Sequence, residues 1–206
     1  MNWKLFQELF SKYAPKDTRF YPAFFIDLFL EIQFKKLGEF FVLNDPKFDR
    51  FRGQKVVIYA NHFYYYDVHI LNRLRKTLFK DRRIMIWMEE FHTFPFFSKL
   101  AFTLPFKTKE ERIRSIVKTI NILNQRPGEF YFFIFPEGVI HDDSDGIKPF
   151  NPKLNNFFEK IRPFVAVASV FLIKDKKIVV SFDDPRENIV DQKILENLLH
   201  RTRKIL

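Results

Sequence analysis

Three features of this 206-residue chain predict an α/β fold with a mainly parallel central sheet flanked by helices. From residue 50 onward strand-like and helix-like segments alternate, as they do when crossover helices join parallel strands. Two short runs, Val56 to Ala60 and Phe130 to Phe135, are apolar at every position, so both faces of each strand must be covered. Each run then ends in a turn carrying polar groups: Asn61-His62 with Asp67 after the first, and Pro136-Glu137-Gly138 after the second. Open α/β sheets place their sites beyond the carboxyl ends of such strands.

Residues 1–45 read as a pair of N-terminal aromatic amphipathic helices. Trp3, Phe6, Phe10 and Tyr13 form one stripe; Phe25, Leu28 or Phe29, Ile32, Leu37 and Phe41 form a second after Pro22. Residues 46–206 form the α/β domain. Its first strand, Val56 to Ala60, is rich in β-branched residues. A helix from about Asp67 to Phe79 follows, with Leu71, Leu74, Leu78 and Phe79 on its apolar side. Next come a strand over Arg83 to Met88, a helix over Phe91 to Phe102, a short strand at Leu104 to Phe106 and a helix over Glu110 to Asn124. After the strand Phe130 to Phe135 the pattern predicts a helical turn near Lys153 to Ile161, then strands at Phe164 to Leu172 and Ile178 to Phe182. An amphipathic helix closes the chain, with Ile194, Leu195, Leu198, Leu199, Ile205 and Leu206 on its apolar side. No repeat or low-complexity tract interrupts this order.

Composition narrows the chemistry. The chain has no cysteine, which excludes disulfides, thiolate metal ligands and a cysteine nucleophile. A formal charge of +10 points to a polyanionic partner: nucleic acid, an anionic membrane surface or an acidic carrier protein. The 29 phenylalanines either build a Phe-heavy core or, crowding around Phe63, Phe91, Phe94, Phe96, Phe97 and Phe130 to Phe135, wall a pocket for something long and apolar. No stretch reaches the roughly 18 to 20 apolar residues that cross a bilayer. Glu8, Lys12, Lys16, Asp17 and Arg19 interrupt what would be a signal peptide, so the chain is expected to stay on the side where it is made. The aromatic N-terminal helices can then either cover the sheet or dock on a membrane, with Lys12, Lys35 and Lys36 meeting anionic lipid.

His62 and Asp67 would lie about 140° apart around a continuous helix, too far to meet, but a strand-to-helix turn can bring them together. There Asp67 would hold one imidazole nitrogen and fix the tautomer, leaving the other nitrogen as a general base. Phe135-Pro136-Glu137-Gly138 presents a second carboxylate at a strand end, with proline stiffening the turn and glycine allowing close backbone approach.

Asn61-His62 with Asp67, followed some seventy residues later by Phe135 to Gly138, resembles the signature pair of the glycerolipid acyltransferase superfamily, in its lysophosphatidic acid acyltransferase branch. The resemblance covers roughly residues 50–175 and makes the N-terminal helices look like that family's membrane-docking element. It implies a 1-acyl-sn-glycerol-3-phosphate acyltransferase-like enzyme of phospholipid biosynthesis. Such an enzyme moves a fatty acyl group from acyl carrier protein or acyl-CoA to a lysophospholipid-type hydroxyl at the cytoplasmic face of a membrane, as a peripheral or monotopic protein. It further implies His62 as base, Asp67 as its orienting partner, and Asn61, Lys107, Phe135, Pro136, Glu137 and Gly138 as the substrate-binding set, with no metal and no cofactor beyond the thioester co-substrate. Direct attack on a thioester needs no acyl-enzyme, which agrees with the absence of cysteine.

The chain also departs from the pattern. Tyr64 stands where serine is usual, and Val139-Ile140-His141 replaces Thr-Arg-Ser. Near the family's phosphate-binding arginine the closest counterpart is Lys107, with Arg112 and Arg114 downstream, and Val165-Ala166-Val167 replaces Val-Pro-Val. Arginine grips phosphate with a planar fork and lysine does not, so these changes weaken the expectation of a phosphomonoester headgroup. His141 to Asp145 reads either as a solvated loop or as a replacement for the missing headgroup contacts.

Two rival readings use other residues. His62, Asp67 and His69, with His92 or Glu89, could ligate a hydrolytic metal, although that leaves Phe135 to Gly138 unexplained. Arg73, Arg75, Lys76, Lys80, Arg82 and Arg83 could bind nucleic acid. They flank Leu71, Leu74, Leu78 and Phe79, however, which makes an amphipathic helix with a solvated or lipid-facing basic side the plainer expectation, and no nucleic-acid partner.

Overall fold

The computed structural model describes residues 23–63, 66–92, 97, 98 and 100–206, so the stripe from Trp3 to Tyr13 lies outside the described residues. The chain enters through α1 (Ala23–Leu37) and β1 (Glu39–Leu43), then β2 (Val56–Ala60), α2 (Asp67–Thr77), β3 (Arg83–Met88) and β4 (Phe102–Pro105). It continues through α3 (Lys109–Gln125), β5 (Phe130–Ile134), α4 (Leu154–Ile161), β6 (Val165–Lys174), β7 (Lys177–Phe182), β8 (Arg186–Glu187) and α5 (Gln192–Ile205). The strands form one mixed sheet in the order β1-β7-β6-β2-β5-β3-β4, with β8 beside β6. From β6 to β4 all neighbours are parallel; β7 returns antiparallel to β6, and β1 runs with β7.

Helices cover both faces, and the all-apolar strands feed two cores. In β5, Tyr131 and Phe133 pack with Ile70, Leu71 and Leu74 of α2, while Phe130, Phe132 and Ile134 pack with Leu123 of α3, Phe157 of α4 and Leu195 of α5. Every residue of β2 and β5 is buried. The phenylalanines of β5 therefore build the sheet's two cores and do not wall a pocket. No helix among the described residues is long and apolar enough to cross a membrane.

Three expectations need correction. The second aromatic stripe does not stay helical to Phe41: α1 stops before Gly38, and residues 39–43 form an edge strand on β7. Gly38 has φ +139°, and a Cβ there would sit 1.8 Å from the Lys176 carbonyl oxygen, so only glycine lets the chain pass the β6–β7 turn. The helix expected over Phe91 to Phe102 is not seen among the described residues of that span: a 3₁₀ turn covers Glu89–His92, and Phe102 begins β4. Third, the basic side of α2 is not left free: its residues are partly covered and ion-paired with α1. Lys76 lies 2.7 Å from Asp27 of α1, Arg75 is 3.2 Å from Asp27, and Arg73 is 3.2 Å from Glu31. Arg82 is buried and donates to the carbonyls of Gln54 (3.1 Å) and Phe51. Arg73, Arg75 and Lys76 thus pin α1 onto α2.

Candidate active site

The sheet sets two turns side by side, because β2 and β5 are adjacent and parallel and both end at the same edge. Beyond β2, Asn61 is fully buried. Its side-chain amide donates to the Phe171 carbonyl (2.9 Å), and its side-chain oxygen accepts from the Phe171 N–H (2.7 Å). This side chain continues the β2–β6 ladder by one rung where the strand itself has ended. Expected in the substrate-binding set, Asn61 instead spends its polar atoms on the scaffold that aims the next residue.

That residue is His62. Its Nδ1 lies 2.7 Å from Oδ2 of Asp67, the first residue of α2, so the strand-to-helix turn brings together the two groups that a continuous helix would separate. The carboxylate is almost fully covered (4% exposed), whereas the imidazole is 22% exposed. Burial pushes the Asp67 carboxyl up to about 6, and the hydrogen bond and charge of His62 keep it from rising further. With Nδ1 donating to the carboxylate, Nε2 is left as the basic nitrogen. The ring lies flat on Phe135, with centroids 4.3 Å apart and planes 12° apart, so the end of β5 supports the imidazole at the end of β2.

The second turn is closed by Gly138 (φ +73°), whose N–H donates to the Phe135 carbonyl at 3.1 Å. Pro136 is buried, and its carbonyl accepts from Asn151 N–H at 3.0 Å. Glu137 is buried as well. Burial pushes its carboxyl up to about 7, the nearby Asp67 charge adds to the rise, and the main-chain amides of Lys148 and His62 oppose it. The two motifs thus converge on one site and sense each other's charge.

Sequence reasoning offered His141 only as part of a loop, solvated or contacting a headgroup, and missed it as the partner of Glu137. By composition it belongs with the acidic loop that follows, yet its Nε2 contacts Oε2 of Glu137 and its main-chain N–H donates to the His62 carbonyl at 3.2 Å. The available signal was its place four residues after the glutamate.

The remaining expected residues sit elsewhere. Lys107 follows β4, three strands from β2, or roughly 14 Å across the sheet. It is exposed, and its main-chain N–H donates to Glu111 at 3.0 Å, in the capping box that starts α3. Arg112 is held by the Phe106 carbonyl and Glu89, both at 2.9 Å. His69 follows Asp67 by two positions on α2, about 200° around the axis, so it does not join His62 and Asp67; burial pushes its ring down to about 4. Among the described residues no three metal-ligating side chains gather at one point. An apolar cavity of about 60 Å³ opens between α2 and strands β3 and β4, lined by Val68, Leu71, Ile84, Ile86, Met88 and Phe97 among others; Val68 directly follows Asp67.

Fold and site together define an α/β protein with a histidine–aspartate pair at one strand end and a buried carboxylate at the neighbouring one. No protein-family model matches the chain, and no curated protein matches its sequence. Among solved structures it is similar to the crystal structure of the 1-acyl-sn-glycerophosphate (LPA) acyltransferase PlsC from Thermotoga maritima. The TM-score is 0.57, with 98% of this chain and 87% of that chain covered at 14% sequence identity. At that identity the likeness is one of fold.

Proposed function

We propose that this protein is an acyltransferase that moves a fatty acyl group from an acyl thioester, on acyl carrier protein or coenzyme A, to the hydroxyl of a lysophospholipid or related glycerolipid. The observation that carries this function is the His62–Asp67 pair, 2.7 Å apart at the end of β2 and stacked on the Phe135-Pro136-Glu137-Gly138 turn. The similar solved fold is that of an enzyme named as a 1-acyl-sn-glycerophosphate (LPA) acyltransferase.

In the proposed reaction His62 Nε2 takes the proton of the acceptor hydroxyl as that oxygen attacks the thioester carbonyl carbon. Asp67 stabilises the resulting imidazolium. The tetrahedral intermediate then collapses, the C–S bond breaks, and the imidazolium returns its proton to the departing thiolate, giving an ester and a free thiol. The apolar cavity beside Val68 would take the start of the acyl tail, each buried methylene contributing about 0.8 kcal/mol.

The protein works at a membrane surface, where its acceptor resides. Support comes from exposed apolar side chains: Val139 and Ile140 directly after the site turn (57% and 37% exposed), and Leu28 and Ile32 on α1 (44% and 48%). The test is to incubate the protein with vesicles, a panel of lysophospholipids and isotope-labelled acyl-CoA or acyl carrier protein, and to identify products by mass spectrometry. Transfer to at least one acceptor, lost in His62→Ala, is expected. No acyl product from any pair, or undiminished turnover in His62→Ala, would overturn the assignment.

A further inference from the structure

Next to the His62–Asp67 pair stands a second histidine–carboxylate pair that the proposed reaction leaves unused. His141 Nε2 meets Oε2 of Glu137, while His141 Nδ1 lies 3.1 Å from the main-chain oxygen of Asp142. A carbonyl oxygen can only accept, so Nδ1 carries a proton and donates it; one further proton is then shared between Nε2 and the carboxylate. Neither partner is in open water: the His141 side chain is 7% exposed and that of Glu137 is fully covered. Glu137 Oε2 also accepts the Lys148 N–H at 3.3 Å.

The pair is joined directly to the proposed base. The His141 main-chain N–H donates to the His62 carbonyl at 3.2 Å, and the Phe63 ring packs edge-on against the His141 ring with centroids 5.1 Å apart. Both neighbours on the β2 turn, His62 and Phe63, therefore lean on His141. If Glu137 lost its histidine it would be left as a buried carboxylate short of a partner, an arrangement costly enough to shift the turn. A shift of about 1 Å at a catalytic group can cost on the order of 100-fold in rate.

We infer that His141 is a positioning residue: bridged to Glu137, it locks the turn after β5 to the main chain of His62 and so fixes where the His62 imidazole presents Nε2. The kinetic consequence rests on the acyl-transfer function proposed above; the structural linkage does not.

Two polar substitutions separate the roles of the two ring nitrogens. His141→Gln keeps a donor near the position of Nε2, able to bond Glu137. His141→Asn keeps a donor near Nδ1 for the Asp142 carbonyl but does not reach the carboxylate. Turnover on the acceptor found above, and ¹⁵N chemical shifts of the His62 ring in histidine-labelled full-length protein, are measured for both. The asparagine variant is expected to lose at least about tenfold in kcat with KM within about twofold, and to show displaced His62 resonances. The glutamine variant should stay within about threefold of wild type, with His62 resonances restored. Equal behaviour of the two variants, whether both active or both impaired, would overturn the inference. Should the asparagine variant fail to fold, His141→Leu, which bonds neither Glu137 nor the Asp142 carbonyl, takes its place beside the glutamine variant: an impaired leucine variant beside an active glutamine variant supports the lock, and equal behaviour overturns it. If wild type transfers no acyl group at all, the proposed function fails separately. The resonances then decide: displaced in asparagine and restored in glutamine supports the lock, and unmoved in asparagine refutes it.

Discussion

Asp67→Asn removes a charge while nearly preserving a shape, and the structure gives a magnitude for the result. The Asp67 side chain is only 4% exposed, and its carboxyl is raised from an ordinary 3.8 to about 6. That difference is about 2 pK units, and at about 1.4 kcal/mol per unit it amounts to about 3 kcal/mol. Because the folded value is the higher one, the folded state holds this proton more tightly than the unfolded state. The group's contribution to stability is therefore fully present below the unfolded value near 3.8 and is lost as pH rises through about 6. Wild type should lose about 3 kcal/mol between pH 4 and pH 8 that the Asp67→Asn variant does not lose. Titrating groups distant from Asp67 are common to both chains and cancel in the difference, whereas His62 and Glu137 titrate together with it. Urea unfolding of both proteins across that range measures it, and the stability of the Asp67→Asn variant relative to wild type should climb by about 3 kcal/mol toward pH 8. The same variant should lose turnover on the order of 10⁴-fold, as the corresponding change does in serine-protease triads. A pH-independent difference in stability would show that Asp67 is not a desolvated carboxylate and would refute the reasoning.

Other parts of the structure make equally direct predictions. Asn61→Ala leaves the N–H and carbonyl of Phe171 without their buried partner and should cost about 3 kcal/mol in urea unfolding, with acyl transfer falling as the base loses its anchor. Acyl transfer should survive exhaustive chelation, because the proposed step uses imidazole; loss on EDTA restored by zinc or manganese would make His62 and Asp67 metal ligands instead. Asp27→Asn combined with Glu31→Gln strips the partners of Arg73, Arg75 and Lys76 and should lower stability by about 1 to 2 kcal/mol, with limited proteolysis cutting α1 before the rest of the chain.

The central strands were legible because their signal is local. Val56 to Ala60 and Arg83 to Met88 have the observed bounds of β2 and β3, and the continuous apolarity of β2 and β5 follows from burial on both faces. Residues 39–43 were not legible in that way. Phe40, Phe41, Val42 and Leu43 continue an apolar run that fits the end of a helix as well as a strand. What decides between them is pairing with β7, far along the chain, across a turn that only Gly38 can pass. The basic residues of α2 misled for a related reason. Charge counted along a sequence looks free, but Asp27 and Glu31 meet it from another helix.

The same division between local and distant information runs through the site. His62 and Asp67 could be paired from sequence because one turn spans them, and the structure places them 2.7 Å apart. The stacking of His62 on Phe135 depended on β2 and β5 being neighbours, which alternation of elements alone does not specify. His141 was hidden by its surroundings: four of the next five residues are Asp142, Asp143, Ser144 and Asp145, a composition that marks solvated loops. A loop's average polarity says nothing about its first residue, however, and here that residue turns inward to a buried carboxylate. A glutamate at a strand end needs either a cation or a proton once it is covered. A histidine four residues on, after a glycine-closed turn, can supply both and still reach back to the strand beside it.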